Sequence, residues 1–397
     1  MVRTILDKEY IVIGAGMAGL CCASILKDAG ADVLLCDVPV HVDSVSVGGF
    51  AEFSGAKFSL PPAGLGLVDV VGGMDELEAL IDATLAILAG SRIGPLLQAP
   101  QRSGRQRPLV DGGSLREYHS IVLTPSEMNG LIAYLGSAAA DSLIKERIVG
   151  LKAGATRVDV EFADRTIVRA SKVVCAVGRT GSALLRNAGA RAQNGKGIDV
   201  GVRVEFPTTS PLKNLRAQGP DAKLMRNDVR SFCLNVPGKV YHYKALGFHI
   251  PGGVVAESGH EGSNVGILRR FTDKELVLAR LAELADQKGE NIGPCNFEQI
   301  GPSIGGNSEI ESVLGTNICD DIDEFTHWTS ETGLIDWSCP HLVHYPLLDW
   351  HWDVFGCPGT FATTLPNVYA AGDLSGHARG LLQAAVSGVA IAKGFVG

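Results

Sequence analysis

The chain has 397 residues, of which 46% are hydrophobic, 20% charged and 49 are glycine. This is a globular composition at a length that needs two or three lobes, which excludes disorder, collagen and coiled coil. The net charge of -8, with no clustered Lys/Arg face, excludes a nucleic-acid partner.

Tyr10–Ile13 is a short apolar run and predicts a strand. Gly14-Ala-Gly-Met-Ala-Gly19 follows it, then an Ala/Leu-rich helical stretch from Leu20 to Ala29. Ala31–Cys36 is a second apolar run, ended by Asp37. Strand, glycine turn, helix, strand and acid form the dinucleotide fingerprint. Gly14 permits the tight turn, Gly16 lets the backbone approach a pyrophosphate, and Gly19 lets the helix pack on the strand. Backbone N–H groups of the first helical turn, Met17 and Ala18 among them, face phosphate with the positive end of the helix dipole. Asp37 suits ribose hydroxyls and so favours FAD or NAD over NADP.

Asp75–Ala89 carries Leu77, Leu80, Ile81, Thr84, Leu85 and Leu88 at helical spacing. Pro125–Ala140 predicts a second helix with Thr124 as N-cap. Residues 147–151, 157–162, 166–170 and 172–177 read as strands, the last ending at Gly178. Residues 201–206, 230–235 and 239–244 are further strand candidates. Thr272–Gln287 predicts a helix with a Thr272/Glu275 capping box, and Gly301–Leu314 reads as a loop. Arg203 and Arg230 on predicted strands suit either a substrate carboxylate or a structural ion pair. Tyr241 and Tyr243 share a face, as a cofactor wall or as ordinary packing.

All four tryptophans (328, 337, 350, 352) and four histidines (327, 341, 344, 351) fall close together. They read either as an aromatic-walled pocket with a histidine acid/base or as a buried cluster with surface histidines. In Leu347–Phe355, strand alternation puts Trp350 and Trp352 on one face and His351 and Asp353 on the other. The same periodicity separates His344 from His351, and no carboxylate-rich partner is evident, so no metal site is expected. Val368–Ala371 predicts a buried strand that delivers Gly372-Asp373 to the carboxyl edge of a sheet, where a carboxylate suits a ribitol hydroxyl. A helix follows from about Gly380, and its start at Arg379, Gly380, Leu381 and Leu382 can aim N–H groups at a carbonyl that gains charge on reduction.

With Gly14–Gly19, Asp37 and Thr363-Thr-Leu-Pro-Asn-Val-Tyr-Ala-Ala-Gly-Asp373 in view, the chain resembles the glutathione-reductase-type FAD-dependent oxidoreductases. Gly48–Leu60, Val173–Gly181, Ile198–Glu205, Val229–Cys233 and Gly372–Gly380 resemble the poorly characterised FAD-dependent dehydrogenase-like proteins. The resemblance implies an α/β fold. It consists of a Rossmann-type, three-layer (ββα) FAD-binding domain from residues 1–62, 118–200 and 341–397, a helical insert over 63–117, and a mixed α+β substrate domain over 201–340. It adds Gly48, Gly49, Lys57 and Gly178 to the cofactor contacts and raises a covalent flavin link through His41.

The expected activity is FAD-dependent dehydrogenation or oxidation of a small molecule, with His344, His351, His242 or Tyr243 as the base. An NAD(P)H-fed reductase of a double bond and a non-catalytic FAD-binding protein are the alternatives. A single dinucleotide fingerprint and no CxxC pair imply a transient electron partner, NAD(P)H or oxygen among them, and no dithiol chemistry. Nine scattered cysteines without framework spacing predict reduced thiols in a cytoplasmic protein. Residues 1–10 lack a signal-peptide pattern, and no apolar run of about 18 residues predicts a membrane span.

Overall fold

The computed structural model describes the chain except residues 1–4, 38–46, 99–103, 194, 196, 274, 276, 280, 284–293 and 352. His41 and Trp352 lie outside the described residues, as does part of the helix predicted over 272–287.

The N-terminal part runs β1 (Ile5–Ile13), α1 (Met17–Asp28), β2 (Val33–Cys36), β3 (Lys57–Ser59), α2 (Met74–Ala89), β4 (Arg105–Pro108), β5 (Ser114–Glu117), β6 (Ser120–Val122) and α3 (Pro125–Ala138). The middle follows with β7 (Leu143–Ile144), β8 (Ile148–Ala153), β9 (Val158–Phe162), β10 (Ile167–Cys175), β11 (Ile198–Phe206), β12 (Lys223–Arg226), β13 (Val229–Asn235), β14 (Gly238–Ala245), β15 (Phe248–Val255) and β16 (Ser263–Phe271). The chain closes with β17 (Cys295–Gln299), α4 (Ser308–Leu314), α5 (Thr316–Glu331), β18 (His341–Trp350), β19 (Val368–Ala370) and α6 (Leu381–Val396).

Two large sheets organise the fold. The first has the order β7-β2-β1-β10-β9-β8, with β19 also on β10. Its β7, β2, β1, β10 and β19 are parallel, and β9 and β8 extend it antiparallel. Ile11, Val12, Val173 and Val174 are buried on both faces, the pattern of a covered parallel sheet. The two strands predicted at 166–170 and 172–177 are one strand, because β10 changes partner midway: Ile167–Ala170 pair with β9 and Val173–Cys175 with β19.

The second sheet has the order β17-β18-β11-β16-β13-β12-β5-β4. Along β11, Ile198, Val200, Val202, Val204 and Phe206 fill one core with α4 and α5, while Asp199, Arg203 and Glu205 alternate onto the other face. β14 and β15 form a separate ribbon. His341–Trp350 thus runs in the second sheet, not with β1, β10 and β19 of the first. The region 63–117 is only partly helical, since β4 and β5 also join that sheet.

The segment 301–314 is not all loop: Asn307 caps α4 through Glu309 and Ile310 N–H. The strand predicted over 347–355 ends at Trp350. Thr124 does cap α3, in a full capping box with Glu127. Among the described residues no helix is long and apolar enough to cross a membrane, and the nine cysteines are free thiols.

Candidate functional site

The glycine loop is built by close backbone approach. Gly14 has φ +101°, and a Cβ there would lie 2.5 Å from the Ala176 oxygen. A Cβ on Gly19 would lie 1.8 Å from the Gly14 oxygen, so α1 can sit on this loop only with glycine at that position. Gly16 differs: the nearest atom to a Cβ is the Gly48 oxygen at 3.9 Å, so the loop is open there. Helix α1 starts with no side-chain cap and no acid in its first turn. Its N-terminal N–H groups and dipole are therefore not matched by a protein side chain. Gly48 bridges to Gly16 and donates to the Ala15 oxygen at 2.7 Å, while Gly48 and Gly49 adopt φ of +113° and +58°. Met17 and Ala18 are buried in the first turn. Asp37 follows β2 directly, and its N–H bonds to Ile144 O at 3.0 Å.

The C-terminal segment meets this loop. Ala371 N–H donates to Cys175 O at 2.9 Å, and Gly372, at φ +64°, donates to Ser387 Oγ at 2.8 Å. A Cβ on Gly372 would touch Ala18 Cβ at 3.5 Å, so the exit of β19 adjoins the first turn of α1. Helix α6 packs against α1 so tightly that a Cβ on Gly388 would lie 2.0 Å from Ala18 O. It begins after Gly380 with no side-chain cap and no acid in its first turn, as α1 does. Leu382 is buried and Leu381 half-buried. Lys57 is half-buried, but its ammonium reaches the Leu234 carbonyl and stands 3.9 Å from Asp221, toward the second sheet. Burial pushes the Lys57 amine below its ordinary range.

A charged network lies where the two sheets meet. Arg179, next to Gly178 at φ +61°, donates to Asp349 at 2.6 Å and to Asp373 at 3.2 Å. Arg379 donates to Asp349 at 2.6 Å, to Trp350 O at 3.0 Å and to His351 Nδ1. Arg230 joins Asp349 to Asp199, and Arg270 also pairs with Asp199. Burial raises the pKa of the Asp349 carboxyl, but Arg379, Arg179 and the His351 hydrogen bond outweigh it and hold the group well below the usual range. Asp199, Asp349 and His351 are close enough to enclose a cation, yet both carboxylates are taken up by guanidinium groups that would repel one. His351 is committed here: Nδ1 accepts from Arg379, and Nε2 faces Asp349 and Asp199 at 3.5 and 3.7 Å.

The other end of the same polar face holds a histidine pair. Across β11 and β18, Arg203 stands opposite His344. His344 Nε2 bonds Glu205 Oε2 at 3.0 Å, and its ring lies 5.3 Å from that of His242 on β14. Nδ1 of His344 and Nε2 of His242 are buried without a hydrogen-bond partner. Burial first, then the neighbouring His344 and His249, lower the His242 pKa. Glu205 is held below its ordinary range despite burial, by its bond to His344. Arg203 is spent on Pro251 O, Cys233 O and Asn264.

On the other face of β14, Tyr241 and Tyr243 meet Phe53 and Phe50 at ring distances of 5.6 and 5.9 Å, and Tyr241 donates to Phe53 O. Burial raises both phenol pKa values. Phe50 and Phe53 follow Gly48 and Gly49 in sequence, so the four rings form an aromatic wall beside the segment that bridges to Gly16. The three described tryptophans are buried in one core, that of the second sheet: Trp328 and Trp337 are bonded to Val110 O and Thr329, and Trp350 lies under Arg179 at 4.9 Å. Asp199, Asp349 and Glu205 escaped the sequence reading. Their only local signal is an isolated acid within an otherwise apolar strand.

No family model and no curated protein matches the chain. Among solved structures, tetracycline destructase Tet(51) aligns with a TM-score of 0.42 and 13% identity over 100% of this chain and 82% of its own. FqzB aligns at 0.41 and 14% over 98% and 76%. CtdE, solved in complex with FAD and substrate 4, aligns at 0.39 and 11% over 96% and 78%. Likeness at this level assigns neither fold nor function to the chain.

Proposed function

We propose that the protein is an FAD-dependent oxidoreductase that dehydrogenates a small molecule. One observation carries this reading: two uncapped helix starts, α1 after Gly16 and α6 after Gly380, are brought to one sheet edge, with the exit of β19 packed on the first turn of α1. Such starts attract the negative charge of a pyrophosphate and of a reduced isoalloxazine.

On this reading Gly14, Gly16, Met17, Ala18 and Gly19 hold the pyrophosphate, Asp37 the adenosine ribose, and Gly48, Gly49, Gly178, Gly372 and Asp373 line the ribityl stretch. Arg379, Gly380, Leu381 and Leu382 face the ring system. The nucleotide unit then comprises residues 1–62, 118–200 and 351–397, in a Rossmann-type three-layer arrangement. Its boundary moves to 351 because β18 belongs to the second sheet. FAD, when bound, supplies the two-electron acceptor. The chain supplies the rest: Phe50 and Tyr243 wall the cleft, and His344, held by Glu205, takes the proton.

Absorbance of the purified protein and its thermal stabilisation by FAD, NAD and NADPH test the assignment. FAD alone should stabilise the wild type, and Gly16→Val should stay folded while losing more than about 10-fold in FAD affinity, about 1.4 kcal/mol. A Gly16→Val protein with wild-type FAD affinity refutes the loop's role. Stabilisation by NADPH would support the NAD(P)H-fed reductase instead.

A further inference from the structure

The acceptor at the histidine pair has a definite polarity. A carboxylate accepts and does not donate, so the bond between Glu205 Oε2 and His344 Nε2 at 3.0 Å requires the proton on Nε2. Nδ1 of the neutral ring is then a lone-pair acceptor, and it is the atom left buried and unpartnered. His242 Nε2 is a second unpartnered buried atom on the adjacent ring. Glu205 is itself fixed, because its Oε1 accepts from Val240 N–H at 3.3 Å. Two imidazoles whose only carboxylate already bonds one of them make a poor metal set, and among the described residues the one candidate cation grouping lies elsewhere.

The geometry points to a built recognition site in which Glu205, as positioning residue, fixes His344 so that Nδ1, on a ring 5.3 Å from that of His242, receives the hydroxyl of a neutral alcohol substrate. A carbonyl or carboxylate offers no proton to this nitrogen. An ammonium is disfavoured because the groups that face the pair are Arg203, opposite His344, and His249, beside His242, with Glu205 alone of opposite sign and already bonded. The alcohol O–H donates to Nδ1; on oxidation the O–H proton would pass to Nδ1 and the carbinol hydrogen would leave as hydride to the flavin of the proposed function, so that C=O forms and His344 is left as an imidazolium paired with Glu205.

This deepens the oxidoreductase reading and rests on it for the word substrate, but the polarity of the site is tested without cofactor. The full chain, with isotope-labelled histidine, is read by NMR at about pH 8, above the ordinary histidine range, with His344→Asn and His242→Asn to assign the rings. The expected result is His344 in the Nε2–H form, retained in Glu205→Gln and lost in Glu205→Leu. Ethanol, small enough to reach any such acceptor, should shift the His344 Nδ1 signal saturably, while acetone should not. An Nδ1–H tautomer in the wild type overturns the proposal, as do an unchanged tautomer in Glu205→Leu and an equal or absent response to ethanol and acetone. The wild-type spectra decide the matter even where Glu205→Leu does not fold, and failure of the flavin reading would show separately, as absent FAD binding.

Discussion

Asp349 accepts from arginines on three separate segments: Arg179 after β10, Arg230 on β13 and Arg379 before α6. Removing its charge leaves those partly exposed guanidinium groups around a buried position that no longer carries a counter-charge, and breaking a buried pair is costly. Asp349→Asn should lower stability by about 3–5 kcal/mol in urea unfolding, and Asp159→Asn, which breaks a half-exposed pair with Arg169, by less than about 1 kcal/mol. A similar cost for both would show that the junction is wet. Single residues were legible in the sequence only where their task is local. Gly19 meets the backbone of nearby Gly14, so spacing revealed it, whereas the Ala176 carbonyl that crowds Gly14 comes from a distant segment. The partners of Asp349 and Glu205 are set by register between strands far apart in the chain, and nothing near them in sequence announces it.

At the scale of elements, α6 lies against α1 with no room for a side chain at Gly388. Gly388→Val should cost about 1–3 kcal/mol through overpacking and weaken FAD retention, because it lifts the start of α6 from the glycine loop. Gly394→Val, on the same helix with nothing within 4 Å of its Cβ, should leave the urea midpoint unchanged or raised. Equal effects would mean that helix propensity, not packing, governs the site. Helices α2, α3 and α6 were readable because apolar residues recur at helical spacing between clear start signals. Helix α5 was missed although Ile318, Ile322, Phe325 and Thr329 follow the same period. Its polar residues mask the apolar period, and packing against the second sheet fixes the helix.

For the molecule as a whole, acid is the sensitive direction. His341 is buried and His242 half-buried, and desolvation lowers both below the ordinary value near 6.5. Between the lowered folded value and the ordinary one the unfolded chain binds more protons, so stability is full above about pH 6.5 and falls as the pH drops through the folded values. Asp199 and Asp349, held below the usual 3.8, add stability that is lost only at lower pH. The urea midpoint should therefore drop between about pH 7.5 and 5.5, and the combined His242→Asn and His341→Asn variant should flatten that drop. An unchanged slope in the variant would assign it to other groups. The sheet order was only partly legible: the glycine loop and Gly372-Asp373 implied that distant segments meet, but β18 joining β11 depends on long-range pairing that local pattern does not encode.

The strand order of the first sheet also constrains how the protein matures. β1 and β10 precede all the strands of the second sheet from β11 onward, whereas β19, which pairs with β10, and α6, which packs on α1, follow them. Until β19 and α6 have been made, α1 keeps a bare hydrophobic flank. Chains truncated before β19 should therefore be cut readily at α1 by protease, and chains that extend through α6 should resist.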